Sequence, residues 1–233
     1  MKDIKLLREG IGALRQNDKD IERLIAPRAE EVISLLTRYI HEIELFNEAY
    51  GLVGVKDTDE LVIKHILDSL APLGIISRLP ETCKAQKLQI ADAGSGAGLP
   101  GIPLAIALPN IDFTLIERMG RRAGFLFNTK AILGISNIAV EEGELEKTAS
   151  CRFNLVTFRA FKPLEPKLLK TLFKACKEGG VIAAYKGRRE KIEQEMTTLI
   201  RPAMQGGGWE AISYTVPFLD EERHIVVIKK PEI

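Results

Sequence analysis

The feature that most restricts the fold is a glycine-rich turn directly after a short apolar run. Leu88 to Ala93 is mostly apolar, includes the acid Asp92, and is followed by Gly94, Gly96 and Gly98 at alternate positions. Glycine lacks a Cβ and tolerates positive φ, so such a turn lets the backbone approach a ligand closely. In open parallel sheets, ligands bind at the carboxyl ends of the strands. The turn therefore predicts a parallel α/β sheet with a ligand site at its first strand end.

The rest of this region repeats the same alternation of short apolar runs and helical segments, which is typical of βα units. Seven strands are predicted: Leu88 to Ala93, Phe113 to Glu117, Ile138 to Glu141, Leu155 to Phe158, Val181 to Tyr185, Trp209 to Val216 and His224 to Lys229. Helices are predicted near Ile102 to Leu108, Arg121 to Leu133, Pro166 to Lys177 and Glu190 to Met204. Only a turn around Pro217 to Glu222 separates the last two strands, which predicts an antiparallel pair at the sheet edge.

Helical patterns fill the chain before the sheet. Pro27 begins a helix whose apolar face runs from Val32 to Tyr50 and which ends at Gly51. Asp57, with Glu60 three residues later, resembles a capping box for a second helix that stops around Pro72. We therefore predict a helical cap over residues 1–80 and a ligand-binding αβα sandwich over residues 81–233, packed as one unit.

Composition places the chain among globular proteins, with 45% hydrophobic and 28% charged residues. No apolar run approaches the ~18 residues that span a bilayer, and the first ten residues lack the apolar centre of a signal peptide. We expect a cytoplasmic protein without membrane contacts. Cys83, Cys151 and Cys176 have no spacing typical of a disulfide framework or a zinc site, so no metal is predicted.

Charge is uneven along the chain although the net charge is only +1. Residues 20–60 carry ten acids against four bases, whereas 118–130 contain Arg118, Arg121, Arg122 and Lys130 without an acid. A second basic segment, Lys186 to Lys191, contains only one acid. An anionic partner is expected to meet the two basic segments.

The glycine spacing favours one cofactor class over another. Dinucleotide sites use G-x-G-x-x-G, whereas this turn reads G-x-G-x-G with Leu99 after it, which suits S-adenosylmethionine better than NAD. Glu117 ends the second strand, where a carboxylate accepts hydrogen bonds from both ribose hydroxyls. The predicted cofactor residues are Asp92, Gly94, Ser95, Gly96, Gly98 and Glu117, in a turn expected to lie outside the core packing.

Five segments together resemble the RsmG family, also called glucose-inhibited division protein B. They are Lys64-His-Ile-Leu-Asp-Ser69, Asp92-Ala-Gly-Ser-Gly-Ala-Gly-Leu-Pro-Gly-Ile-Pro103, Phe158-Arg-Ala-Phe161, Tyr185-Lys-Gly187 and Glu222-Arg-His-Ile-Val-Val227. The resemblance implies a Rossmann-like fold of the class I methyltransferase type. It further implies methylation of guanine N7 in the 530 loop of bacterial 16S rRNA, with S-adenosylmethionine as cofactor.

Further site residues follow from this resemblance. It implies that Gly94 and Leu99 contact the cofactor, that Leu145 and Glu146 hold the adenine, and that Arg159 lines the site and also contacts the cofactor. The chain departs from the family pattern in Gly51-Leu52-Val53, where Asn-Leu-Thr is common, and at Glu144, where arginine is frequent. Polar contacts made by those side chains in relatives are not expected here, and the role of His65 is not revealed.

The chemistry of guanine N7 explains why the sequence shows no catalytic dyad. N7 carries a lone pair and no proton, so the reaction needs no general base. Arg159 is the candidate for substrate orientation, since a guanidinium matches guanine O6 or a phosphate, although a salt-bridged structural arginine is the alternative. Arg121, Arg122 and Lys186 are predicted to contact RNA phosphates.

Three other functions stay open at this point. A small-molecule methyltransferase would share the cofactor half, a catalytically idle RNA-binding module would share the fold, and a nicotinamide dehydrogenase would share the glycine turn. Naked rRNA, the small ribosomal subunit and an assembly intermediate are equally compatible substrates. The oligomeric state is not predicted.

Overall fold

The computed structural model describes residues 2–79, 88–147, 150–159, 164–203 and 208–230. Its α-helices are α1 (Lys2–Asn17), α2 (Lys19–Ile25), α3 (Ala29–Tyr50), α4 (Thr58–Leu61), α5 (Asp68–Leu70), α6 (Leu73–Arg78), α7 (Gly101–Ala107), α8 (Gly120–Leu133), α9 (Pro166–Ala175) and α10 (Arg189–Ala203). Its strands are β1 (Gln89–Ala93), β2 (Asp112–Glu117), β3 (Ile138–Glu142), β4 (Phe153–Arg159), β5 (Cys176–Lys186), β6 (Trp209–Tyr214) and β7 (Arg223–Lys229).

The seven strands form one sheet in the order β3-β2-β1-β4-β5-β7-β6. Strands β1 to β5 are parallel to one another, and β7 runs antiparallel to both β5 and β6. The predicted sheet and its antiparallel C-terminal pair are thus confirmed. Strand order reverses between β1 and β4, and ligands of open α/β sheets bind at the carboxyl end of such a switch point.

Strand β5 begins earlier than its apolar run predicts. The helix expected to reach Lys177 ends at Ala175, and β5 starts at Cys176 rather than Val181. Its pairing with β4 shifts register between Phe153 and Leu155, and Gly179 within it has a φ of 68°. This irregularity adds an unpredicted extension to the strand. Met204, the predicted end of the following helix, lies outside the described residues.

The cap helices begin and end largely where their sequence signals predict. Gly51 closes α3 in the left-handed conformation, with a φ of 58°, and Asp57 caps α4 by accepting a hydrogen bond from the Glu60 amide. The single helix predicted after Asp57 is instead interrupted by a π-helical stretch at Val62–Leu67. π-Helical turns occur frequently at functional sites.

The cap packs onto one face of the sheet through a shared apolar core. One cluster contains buried residues of α3, such as Leu36 and Ile43, together with Leu115 of β2 and Ala183 of β5. A second cluster, including Leu172, Met196 and Ile182, fills the opposite face beneath α9 and α10. The predicted boundary near residue 80 falls outside the described residues and stays a prediction. Within the described ranges, no helix has the length and apolarity that a bilayer span requires.

Candidate functional site

The glycine turn lies at the carboxyl end of β1 and is fixed to β2. Gly94, Gly96 and Gly98 all have positive φ, at 68°, 58° and 94°. The amides of Gly94 and Ser95 both donate to the Ile116 carbonyl, at 2.9 and 3.1 Å. The backbone conformation that the spacing predicts is therefore present at all three positions.

The two later glycines face different surroundings. A Cβ on Gly96 would lie 3.9 Å from the Gly94 carbonyl oxygen and 4.0 Å from Arg122 Nη1, so it would meet only ordinary contacts and no clash. A Cβ on Gly98 would lie 2.4 Å from Ile102 Cδ1 and 3.0 Å from Leu126 Cδ2. The expectation that the turn lies outside the core is thus wrong for Gly98, because α7 and α8 pack directly against it.

Asp92 is a buried internal support of this turn. Its Oδ2 accepts hydrogen bonds from the Ser95 hydroxyl at 2.8 Å and from the Gly101 amide at 3.0 Å. Its Oδ1 is buried and has no partner within the described part of the chain. Burial raises the pKa of Asp92 to about 6, although the hydrogen bonds from Ser95 and Gly101 oppose that shift. The carboxyl thus joins the turn to the start of α7.

Glu117 links the turn to the end of β2. Its Oε2 accepts from the Gly96 amide and its Oε1 from the Met119 amide, each at 2.8 Å. An ionised carboxylate oxygen has about two acceptor sites, so each oxygen keeps one for a ligand hydroxyl. The predicted ribose-binding position is therefore also a support of the Gly96 backbone, which sequence reasoning did not indicate.

The predicted adenine-binding pair lies beside this carboxylate. Leu145 and Glu146 belong to a short 3₁₀ helix after β3, with Leu145 buried and Glu146 exposed. The Gly143 amide donates to the Glu117 carbonyl at 2.9 Å, which holds this loop against the end of β2. Glu144 forms an ion pair with Lys147 at 3.3 Å. The loop thus borders the same strand ends as the glycine turn.

Arg159, at the end of β4, is held by one turn of the cap. Its Nη1 donates to the Lys64 carbonyl at 3.0 Å and to Asp68 Oδ2 at 3.3 Å, and its Nη2 lies 2.8 Å from His65 Nδ1. Arginine only donates hydrogen bonds, so His65 accepts through Nδ1. Burial and Arg159 lower the pKa of His65 to about 4, which keeps the ring neutral. The salt-bridged state anticipated as an alternative is present.

Asp68 joins this arginine to the C-terminal strands. Its Oδ1 accepts from the Tyr214 hydroxyl at 3.0 Å and lies 3.4 Å from Arg223 Nε. Sequence reasoning assigned Asp68 no role, although it stands in the motif Lys64-His-Ile-Leu-Asp-Ser69 that carried part of the resemblance. Tyr214, its partner on β6, stands outside the segments that carried it.

A cleft of about 1340 Å³ is lined by Arg159 and, among its lining residues, includes none of the glycine turn. Its walls come from the ends of β4 and β5, the start of α10 and the turn between β6 and β7. Basic and acidic side chains alternate around it, including Lys186, Arg188, Glu195 and Glu222. Arg159 therefore lines the cleft from the strand next to β1, after which the glycine turn follows. Ala160 and Phe161, which complete the sequence motif after Arg159, lie outside the described residues.

The three predicted phosphate contacts differ in availability. Arg121 is exposed and has no partner among the described residues. Arg122 donates to the Gly51 carbonyl at 3.0 Å, and its Nε is buried without a partner in the described part of the chain. Lys186 is half-buried and paired with Glu195 at 2.8 Å. Only Arg121 therefore presents its whole charge to a partner without first leaving another contact.

The departure at residues 51–53 preserves the local backbone. Asparagine, which is common in relatives, tolerates the left-handed conformation that Gly51 adopts. The backbone of Val53 is held at both ends by the Asn47 side chain, at 2.8 Å to its amide and 3.0 Å to its carbonyl. The side chain lost at position 53 is thus not needed to fix this loop.

These residues fit a ligand that carries ribose and an amino acid. The backbone of Gly96, the remaining acceptor sites of Glu117 and the loop held to β2 through Gly143 lie together at the strand ends. Such an arrangement offers a close backbone approach and acceptors for hydroxyls, whereas the Leu145 side chain is buried in the second core cluster.

Comparisons with known proteins agree with this geometry. The family model described as rRNA small subunit methyltransferase G (GidB) matches residues 32–226. A Treponema denticola protein named ribosomal RNA small subunit methyltransferase G is 36% identical over 97% of this chain and 94% of its own length. The protein of the same name from Cellvibrio japonicus is 34% identical over 89% and 90% of the two chains.

Solved structures support the fold at low sequence identity. A crystal structure of a S-adenosyl-L-methionine-dependent methyltransferase from Methanococcus maripaludis superposes with a TM-score of 0.56 at 15% identity, covering 83% of this chain and 93% of its own. A methyltransferase structure from Aquifex aeolicus gives a TM-score of 0.51 at 15% identity over 70% and 91%. The chain therefore has the class I methyltransferase fold that its sequence predicts.

Proposed function

Because the chain belongs to the rRNA small subunit methyltransferase G family, we propose that it transfers the methyl group of S-adenosylmethionine to N7 of a guanine in the 530 loop of 16S rRNA. The observation that carries the proposal is the position of Arg159. It lies at the carboxyl end of β4, the neighbour of the strand β1 that carries the glycine turn, and it lines the open cleft. A residue there can touch a base whose N7 faces the cofactor.

The cofactor half is assigned to the turn and its neighbours. Gly94, Gly96 and Gly98, with Leu99, form the backbone surface for the amino acid and ribose, and Glu117 accepts from the ribose hydroxyls. Asp92 and Ser95 support that surface from its buried side, through the hydrogen bond that the Ser95 hydroxyl donates to Asp92. Leu145 and Glu146 take the adenine at the end of β3.

The methyl transfer itself asks little of the protein beyond placement. S-adenosylmethionine supplies an electrophilic methyl group when bound, and guanine N7 has a free lone pair to receive it. Holding two reactants in line contributes roughly 7–11 kcal/mol to lowering a barrier. Arg159 is the orienting residue: a guanidinium has five N–H donors, and those left over from its contacts with the cap can reach guanine O6 or an adjacent phosphate.

RNA phosphates are assigned to the surface beside the two strand ends. Arg121 is the principal contact because it is exposed and unpaired in the described structure. Arg122 and Lys186 contribute after release from Gly51 and Glu195. A substrate of ribosomal RNA, in a free or assembled form, implies action in the cytoplasm.

The experiment that tests this function measures both halves separately. Isothermal calorimetry should show binding of S-adenosylmethionine and none of NADH. Transfer of labelled methyl groups to 16S rRNA or small subunits, followed by mapping of 7-methylguanine, should identify one site. Binding of NADH instead would support a dehydrogenase, and methylation of small metabolites alone would refute the RNA substrate.

Methyl transfer to rRNA in the same assay would exclude a catalytically idle RNA-binding module. Such a module would bind rRNA without any transfer when S-adenosylmethionine is saturating. The intact conformation of the three glycines argues against it.

A further inference from the structure

Asp68 is a cap side chain that contacts both β4 and the two C-terminal strands beside the cleft. It pairs with Arg159 of β4 through Oδ2, and with Tyr214 of β6 and Arg223 of β7 through Oδ1. Its side chain is only 7% exposed. A buried carboxylate is stable only when it is paired and hydrogen-bonded. Loss of any of the three partners would leave the buried carboxylate incompletely paired, which would destabilise the folded protein.

Residues of the same cap turn accept hydrogen bonds from part of the Arg159 guanidinium. Lys64 O, His65 Nδ1 and Asp68 Oδ2 together accept three of its N–H groups. The fork of an arginine is planar and rigid. Once those contacts are made, the remaining two N–H groups have fixed directions, and Arg159 lines the cleft.

We infer that Asp68 is a positioning residue for methyl transfer: it fixes the Arg159 guanidinium so that the unused donors face the substrate. This inference rests on the proposed function of Arg159. Asp68 also lines the cleft, but both of its oxygens are taken by Arg159, Tyr214 and Arg223, so its effect would pass through the arginine. The neutral His65 is the third acceptor of the Arg159 guanidinium, since a protonated ring could not accept a hydrogen bond from it.

The first test does not depend on activity. Phenylglyoxal modifies accessible arginines, and peptide mass spectrometry measures the rate at Arg159. Asp68→Asn should raise that rate several-fold, because the guanidinium loses its charged partner. Asp68→Glu, which keeps the charge, should lie closer to the wild type. An unchanged rate in both variants overturns the inference whatever the substrate is.

The matched control is Glu42→Gln. Glu42 is also a buried cap carboxylate, but its contact is Asn128 Nδ2 at 3.4 Å, away from the cleft. The same acid-to-amide change there should leave labelling of Arg159 unaltered. Faster labelling of Arg159 in Glu42→Gln would mean that any loosening of the cap exposes the arginine, and that outcome also overturns the inference.

The second test measures single-turnover methylation of 16S rRNA at saturating substrate. Asp68→Asn should slow transfer at least tenfold while its dissociation constant for S-adenosylmethionine stays within twofold of the wild type. In an Arg159→Lys background, the additional loss from Asp68→Asn should be much smaller, since residues that act as a unit are not additive. Losses that multiply, or a wild-type rate in Asp68→Asn, overturn the positioning role.

The two proposals fail in different ways. A wild-type protein that transfers no methyl group to rRNA refutes the proposed function, and the labelling experiment then decides the position of Arg159 alone. An active wild type with an equally active Asp68→Asn variant refutes only the role of Asp68.

Discussion

Alanine substitution at Gly98 and at Gly96 should separate the two faces of the glycine turn. At Gly98, the new Cβ would lie 2.4 and 2.8 Å from two atoms of Ile102 and 3.0 Å from Leu126, whereas carbon atoms pack best at about 3.5–4.0 Å. Overpacking of this kind costs about 1–3 kcal/mol. The positive φ adds about 1–2 kcal/mol, so Gly98→Ala should lose about 2–5 kcal/mol of unfolding free energy.

At Gly96, the conformational cost stands alone. The φ is 58° and the Cβ would meet other atoms only at ordinary contact distances, so Gly96→Ala should lose only about 1–2 kcal/mol. Its Cβ would instead occupy the space assigned to the cofactor, so the affinity for S-adenosylmethionine should fall at least tenfold. Urea unfolding and calorimetry measure the two quantities separately.

Gly124 provides the matched control for both variants. It lies in α8, and a Cβ there meets no atom within 4 Å. Replacing an exposed helical glycine by alanine stabilises by roughly 0.5–1 kcal/mol, so Gly124→Ala should be slightly more stable with unchanged affinity. Equal losses of stability at Gly96 and Gly98, or cofactor binding by Gly96→Ala within twofold of the wild type, would refute this description of the turn.

Three further predictions address the cap, the buried acid and the RNA surface. Tyr39→Phe removes the hydrogen bond to the Ala97 carbonyl at 2.7 Å and should lower the free energy of unfolding in urea by about 1–3 kcal/mol. Tyr50→Phe should lower it little, because the Tyr50 hydroxyl has no partner in the described structure; equal effects would contradict this prediction. The pKa of Asp92 is raised from 3.8 to about 6, so the wild type should lose up to about 3 kcal/mol of unfolding free energy as pH rises from below 3.8 through 6. Asp92→Asn should not show this loss, and parallel curves of unfolding free energy against pH for the two proteins would disprove the shift. Arg121→Gln should reduce the slope of log affinity for rRNA against log salt by about 0.7–0.9, while Arg23→Gln on the cap should leave it unaltered; the same slope in both variants would remove Arg121 from the interface.

The order of the elements was predictable because their signals are local. Each strand is a short apolar run between turn residues, and the helix end at Gly51 and the cap at Asp57 each depend on a few neighbouring residues. The extension of β5 to Cys176 was not predictable, because it requires a register shift against Phe153 and Leu155 on another strand.

The candidate site divides in the same way. The conformations of Gly94, Gly96 and Gly98 follow from the spacing of one turn. The contact between Arg159 and Asp68 joins residues 91 positions apart, and that between Tyr214 and Asp68 joins residues 146 apart. Sequence patterns carry no information on such pairs until the topology is known. The pairing of Lys186 with Glu195 likewise depends on how α10 folds back beside β5.

The position of β7 inside the sheet determines when the cleft can form during protein synthesis. Strand β6 pairs with β7 alone among the described strands, and β7 leaves the ribosome after it. Before β7 is synthesised, β6 lacks this pairing partner, so the hydrogen bond from Tyr214 to Asp68 has no sheet to hold it in place. The residues of the glycine turn, of β1 and of β2 leave the ribosome much earlier. The residues proposed to bind the nucleoside are therefore synthesised before the strands that complete the cleft.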